Sequence, residues 1–238
     1  MSKIVTGSFD DMRSAQIRFL EESAKGVDLH VNLWSDSLVR SKTGKDPKFP
    51  QAERLYFVEA IRYVATAKIV SDLTSGETQI DLSDPRLKSF PKSAPVDTST
   101  TGRKKVLVTG CYDWLHTGHV RFFEEVSEYG DVYAVVGHDA NIELLKGKGH
   151  PQFPEDERRY VVGALRYVKQ ALVSTGNGWM DAAPEIEKIK PDIYAVNEDG
   201  DKPEKRDFCQ QHGIQYLVLK RLPKPGLPPR SSTTLRGF

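Results

Sequence analysis

An α/β architecture with a doubly wound parallel sheet, in two tandem copies, is what this 238-residue sequence predicts. Three observations lead there. Short apolar runs alternate with amphipathic stretches, the pattern of βα units and a parallel sheet. The pattern recurs after about 103 residues, too long for a solenoid and suited to a duplicated domain. A glycine-bearing turn, Gly110 to His119, joins the first strand of the second copy to its helix.

In chain order, apolar runs predict strands at Lys3–Thr6, Leu29–Leu33 and Lys68–Ser71. Helical spacing predicts helices at Arg13–Lys25 and Gln51–Tyr63, the latter with Leu55, Val58 and Ile61 on one face. Residues 73–104 break the pattern with proline, serine and threonine, and read as a linker between a first copy at 1–72 and a second at 105–238. The second copy gives strands at Val106–Val108, Val132–Val136, Ala171–Val173, Ile193–Val196 and Gln215–Leu219. Its helices are predicted at Val120–Tyr129, Asp156–Tyr167, Met180–Ile189 and Lys202–His212.

Residues 4–70 align with 107–174 once a gap is placed near Asp46. VTGSFDD matches VTGCYDW, IRFLEE matches VRFFEE, and FPQAERLYFVEAIRYV matches FPEDERRYVVGALRYV. The first copy is truncated and degenerate. Arg13, Ser14, Ala15 and Gln16 stand where His116, Thr117, Gly118 and His119 stand in the second. An intrachain pseudo-dimer is expected, with Arg62–Val64 and Arg166–Val168 in its contact, and a homo-oligomer is possible.

Composition narrows the class. Lys plus Arg is 34 and Asp plus Glu is 33, a net charge of +1, so nothing points to a nucleic-acid partner. The two cysteines, Cys111 and Cys209, make no disulfide framework, and a reduced, cytoplasmic setting is expected. No apolar run reaches the length of about 18 residues that a membrane helix needs, and no apolar leader opens the chain. A GxGxxG fingerprint is absent, which disfavours hydride transfer.

The chemistry is concentrated in GCYDWLHTGH, Gly110–His119. His116 and His119 are three apart at a helix start, so both project to one side. Free backbone N–H groups and the helix dipole favour an anion there. Gly118 removes a side chain where a phosphate would come close. These ten residues resemble the HxGH signature of the cytidylyltransferase-like nucleotidyltransferases. The resemblance implies a Rossmann-like fold and transfer of a nucleotidyl group to a small phosphorylated acceptor, with release of pyrophosphate. CMP from CTP is the first expectation and adenylyl transfer from ATP the second, with Mg²⁺ carried by the triphosphate. A nucleotide-binding regulatory protein of weak activity is the reading from another class.

The resemblance also assigns residues. His116 and His119 would donate to the α-phosphate and the bridging oxygen, and Lys146 or Lys148 would reach the α-phosphate. Gly110, Cys111 and Tyr112 would border the nucleotide, with Asp113 holding the loop. Arg158 matches an arginine near the triphosphate, although the first copy keeps Arg54 there. Arg230, Ser231, Ser232, Thr233 and Thr234 follow a Pro/Gly turn and read as a capped helix start suited to the β- and γ-phosphates. They are similar both to the family's Arg–Ser–Thr signature and to an SSTxxR pattern ending at Arg236. Trp179, Asn197 and Asp199 are expected around the acceptor. No metal ligand set is expected from the protein.

Overall fold

The computed structural model describes residues 1–73, 77–99 and 101–235, apart from the side chains of Thr233 and Thr234. The chain divides into two compact units. One holds Met1–Phe90 with Ala164–Arg166, and the other holds Pro91–Gly163 with the chain from Tyr167 onward.

In the first unit, β1 (Ser2–Gly7), β2 (Asp28–Trp34), β3 (Thr66–Val70) and β4 (Thr78–Gln79) form a parallel sheet in the order β3-β2-β1-β4. Helix α1 (Ser14–Ser23) buries Ile17 and Leu20. Helix α2 (Asp36–Thr43) was not legible in the sequence, because its buried apolar positions are the adjacent Leu38 and Val39 and show no period. Its ends hold it instead: Ser35 Oγ accepts from Leu38 N at 3.2 Å, and Gly44 closes it at φ +73°. Helix α3 (Gln51–Glu59) stops a turn short of the expected end. Within the expected linker, Thr78 and Gln79 pair with Val5 and Thr6 of β1, and Leu87 is buried.

In the second unit, β5 (Lys105–Gly110), β6 (Asp131–Val136), β7 (Val168–Val173), β8 (Ile193–Asn197) and β9 (Gln215–Leu219) are parallel in the order β7-β6-β5-β8-β9. The order reverses between β5 and β8, and a doubly wound sheet opens its binding crevice at that point, beyond the strand carboxyl ends. Helix α4 (Thr117–Ser127) starts before its apolar pattern does, because His116 caps it. Helix α5 (Asp139–Lys146) was missed. His138 begins it, its Nδ1 accepting from Asn141 N at 3.2 Å. Helix α6 (Glu155–Gly163) is shorter than expected. The helix expected from Met180 splits into a 3₁₀ turn at Gly178–Met180 and α7 (Ala183–Ile189). Helix α8 (Pro203–His212) and a last short α9 (Ser232–Leu235) complete the unit.

The core of the second unit sits on β5, β6 and β8, with Leu107, Tyr133, Val135, Tyr194 and Val196 packed against Ile186 and Ile189 of α7. Each such side chain contributes about 1.5–3 kcal/mol on burial. Cys209 belongs to this core, and burial pushes its thiol up to about 11. The end of the expected linker is strapped to the same unit. Tyr133 Oη donates to Asp97 O at 2.8 Å, and Gln170 accepts from Asp97 N at 2.7 Å while donating to Pro95 O at 2.7 Å. Among the described residues, no helix is long and apolar enough to cross a membrane.

One staple occurs in each unit. Arg158 is 1% exposed. It donates to the carbonyls of Phe153, Cys111 and Gly137 at 2.7–2.8 Å and to Asp139 Oδ1 at 2.7 Å. Arg54 donates in the same way to Phe49 O, Ser8 O, Trp34 O and Asp36 Oδ1. Arg158, which the resemblance places near the triphosphate, thus forms a buried tie between loops in this structure.

Candidate active site

The turn after β5 places two imidazoles at the first turn of α4. His116 has an extended backbone (φ −143°), and its Nδ1 accepts from Gly118 N at 3.1 Å. A neutral His116 must then carry its proton on Nε2. His119 stacks on it, with ring centroids 3.9 Å apart and planes at 27°. Tyr112, at φ +51°, meets His119 edge-on at 5.5 Å and packs on Phe123 at 5.3 Å. His116 Nε2 and His119 Nδ1 are buried, and neither has a hydrogen-bond partner among the described residues. A buried polar atom left so costs about 1–3 kcal/mol, and such atoms in a cavity point to a ligand.

Both imidazoles are neutral at pH 7. Burial, reinforced by Arg221 and Arg230, pushes His116 down to about 3. Burial also pushes His119 well down, helped by His116, Arg221 and Lys146. Each ring therefore offers one neutral N–H donor.

A stability profile follows from this. Between the ordinary histidine value of 6.5 and about 3, the unfolded chain takes up a proton that folded His116 refuses. The unfolded state binds more protons there, so stability is full above 6.5 and falls as pH drops toward 3. The melting temperature should fall across that window, and fall less steeply in His116→Asn. Parallel profiles for the two proteins would contradict the burial of a neutral ring.

Two adjoining cavities open at the crevice between β5 and β8. The smaller, about 160 Å³, holds both histidines with Asp113, Phe122, Asn197 and Arg221 on its wall. The larger, about 380 Å³, is walled by Asn141, Trp179, Asp181 and Lys202. Thr109, Gly110, Cys111, Lys146, Gly200 and Lys205 border both. Gly118 packs tightly: a Cβ there would sit 3.0 Å from the His116 ring and 3.4 Å from Arg230 O.

Most predicted residues meet here. Gly110, Cys111, Tyr112 and Asp113 line the smaller cavity. Asp113 Oδ1 accepts from Gln152 N at 2.8 Å and Phe153 N at 3.0 Å, which ties the loop down. Cys111 is half-buried and desolvation raises its thiol, so it has no nucleophile's environment. Lys146 lies on both walls, whereas Lys148 is exposed and on neither. Ser232 lines the smaller cavity, and Arg230 and Ser231 line an adjoining hollow of about 270 Å³ with Arg221 and Gly118. Thr233 and Thr234 lie in α9, their side chains outside the description, and Arg236 lies outside the described residues. Trp179 is 44% exposed, with Lys202 Nζ 4.8 Å over its ring. Asn197 lines the cavity of the histidines, and Asp199 borders both cavities.

Two residues were missed. Arg221 ion-pairs with Asp199 and donates to Arg230 O at 3.1 Å. Its signal was a cation just after the last strand, ahead of the Pro/Gly run. Lys205 gave no signal, because α8 is polar nearly throughout. Among the described residues, no group of three or more His, Cys, Asp or Glu could hold a metal ion.

Residues 107–222 match the family model described as cytidylyltransferase-like. The chain is 38% identical over 120 residues to a protein named FAD synthase from Ferroglobus placidus, covering 75% of that protein and 49% of this chain. This chain belongs to the cytidylyltransferase-like family. A protein named FAD synthase from Aciduliprofundum boonei is 36% identical over 125 residues, 80% of its length and 51% of this chain. The bifunctional protein HldE of Azotobacter vinelandii is 33% identical over 143 residues, 28% of its length and 58% of this chain. The family match falls on the unit that carries the histidine pair, and with these relatives it makes the chain a nucleotidyltransferase.

Proposed function

We propose that the second unit transfers an adenylyl group from ATP to a small phosphate monoester and releases pyrophosphate. The observation that carries this reading is the pair of unpartnered nitrogens, His116 Nε2 and His119 Nδ1, on two stacked histidines that line a cavity at the start of α4. The choice of ATP over CTP rests on the relatives named FAD synthase, since FAD contains an adenylyl group.

An oxygen of the acceptor's phosphate attacks the α-phosphorus in line. The new P–O bond forms as the bond to the bridging oxygen breaks, and that electron pair leaves with pyrophosphate. No protein group becomes bonded to substrate. The histidine N–H groups meet charge that grows on the transferring phosphoryl group, and they need no reorganisation to do so. Arg221, Arg230 and Ser232 hold the leaving pyrophosphate, with Lys146 at the α-phosphate. The described residues suit a magnesium ion bound through phosphates and water, since Asp199 on the cavity wall is already paired with Arg221. Such an ion would supply charge neutralisation along the triphosphate.

The first unit is expected to bind no triphosphate. Arg13 replaces His116 and is ion-paired with Asp11, which Lys48 also meets at 2.9 Å. Calorimetric titration with Mg²⁺ should give a stoichiometry near one, unchanged by Arg13→Ala. Pyrophosphate release should be assayed with ATP and with CTP against FMN, glycerol 3-phosphate, phosphocholine and sugar 1-phosphates. ATP should exceed CTP in kcat/KM by about tenfold or more, a difference of about 1.4 kcal/mol. A preference for CTP would return the chain to cytidylyl transfer. Two equivalent sites would mean that the first unit is competent.

A further inference from the structure

Lys205 is unlike the other lysines of the second unit. Helix α8 carries it into the wall shared by the two cavities, and it is only 8% exposed. Its ammonium makes two long hydrogen bonds, to Thr109 Oγ1 at 3.3 Å and Gly200 O at 3.4 Å, and both acceptors are uncharged. The Tyr194 ring lies 5.6 Å away. The carboxylates around it are engaged elsewhere. Asp199 pairs with Arg221, Asp201 with Arg206, and Asp181 accepts from Ser174 Oγ at 2.7 Å. Among the described residues, none stands within ion-pair distance of Lys205.

A buried cation without a counter-ion is costly unless a ligand brings the charge. Burial pushes this ammonium below the ordinary lysine range, with Asp181 opposing only part of the shift. On the same wall, Lys146 faces both cavities, and Lys202 stands over Trp179 in the larger one. The larger cavity is thus cationic where it meets the histidine cavity and aromatic further out.

We propose that Lys205 receives the phosphate group of the acceptor, on the shared wall beside the histidine pair, so that an attacking oxygen stands next to the α-phosphate while the acceptor's body fills the larger cavity. The ligand class is a phosphate monoester dianion. The placement rests on the nucleotidyl-transfer reading for the identity of the neighbouring group, but the anion subsite itself can be tested without it.

The test is calorimetric titration of inorganic phosphate into protein saturated with Mg²⁺ and α,β-methylene-ATP, and again with nucleotide absent. Wild type should bind phosphate. Lys205→Met should weaken that binding about tenfold or more, the effect of losing one charge-assisted hydrogen bond. Lys205→Arg should retain most of it. The affinity of Lys205→Met for the nucleotide analogue should stay unchanged. Its melting temperature without phosphate should equal or exceed the wild-type value, because an apolar side chain replaces an uncompensated buried charge.

Equal phosphate affinity in wild type and Lys205→Met would overturn the proposal, as would no phosphate binding by wild type. A parallel loss of analogue binding would assign Lys205 to the donor. A lower melting temperature in Lys205→Met would make the lysine structural. Failure of wild type to bind the analogue would count against nucleotidyl transfer, while the titration without nucleotide would still decide on Lys205.

Discussion

His116→Ala and His119→Ala should each lower kcat about a hundredfold or more, the loss seen when a preorganised donor to a transition-state oxyanion is removed. The reason lies in the state of the rings. His116 is buried and His119 half-buried, both rings are neutral, and each holds a buried ring nitrogen without a partner among the described residues. Donors of this kind act most strongly on charge that develops in the transition state. The KM for the triphosphate should therefore move much less than kcat.

His116 also caps α4, so His116→Ala carries a stability cost of about 0.5–2 kcal/mol from the lost cap. His116→Asn separates the two roles. Asparagine can still accept from Gly118 N, but it lacks a donor at the position of Nε2. Its melting temperature should stay near wild type at pH 7 while kcat falls as far as in His116→Ala. Steady-state kinetics with matched thermal melts decide this, and equal loss of triphosphate binding and turnover would reject the transition-state role.

Arg158→Met should destabilise the second unit by about 3 kcal/mol or more, because several backbone acceptors lose their donor at about 1–3 kcal/mol each. Three carbonyls, those of Phe153, Cys111 and Gly137, would lose a donor together, and Asp139 would lose its ion pair. These carbonyls lie on the loops after β5 and β6 and at the entry to α6, so the staple keeps the walls of the site in place. Denaturant unfolding measures the loss. Arg54→Met should show a loss of similar size in the first unit, which carries no paired histidines. A stable Arg158→Met protein that had lost triphosphate binding would restore the ligand role that the sequence suggested.

The contrast between these residues shows what the sequence could reveal. Strands were legible as short apolar runs, as in Val132–Val136, and long helices by a regular apolar spacing, as at Leu55, Val58 and Ile61. Helices α2 and α5 were not, because end caps at Ser35 and His138 hold short segments with little periodicity. The histidines were legible because the helix start and their spacing define a local geometry. The tie made by Arg158 was not legible, because a buried guanidinium bound to carbonyls and one bound to phosphate leave the same letter in the chain. Asp113 was read as a loop-holding residue because it recurs as Asp10, whose carboxylate likewise accepts from Lys48 N at 2.7 Å and Phe49 N at 3.0 Å. Arg221 and Lys205 reach the site from segments far apart in the chain. Only the strand order, which sets β5 beside β8, brings them to the histidines.

The central claim is that the histidine pair of the second unit serves nucleotidyl transfer to a phosphate. It is tested most directly by following label from the triphosphate. ATP labelled at the α-phosphate and ATP labelled at the γ-phosphate should be incubated separately with the protein, Mg²⁺ and the acceptor panel, with CTP in parallel. The α-label should appear in an acceptor-linked product and the γ-label in pyrophosphate. Both should depend on acceptor, and both should be lost in the His116→Asn and His119→Ala proteins. Release of the γ-label as orthophosphate, or transfer that survives in both histidine variants, would contradict the account.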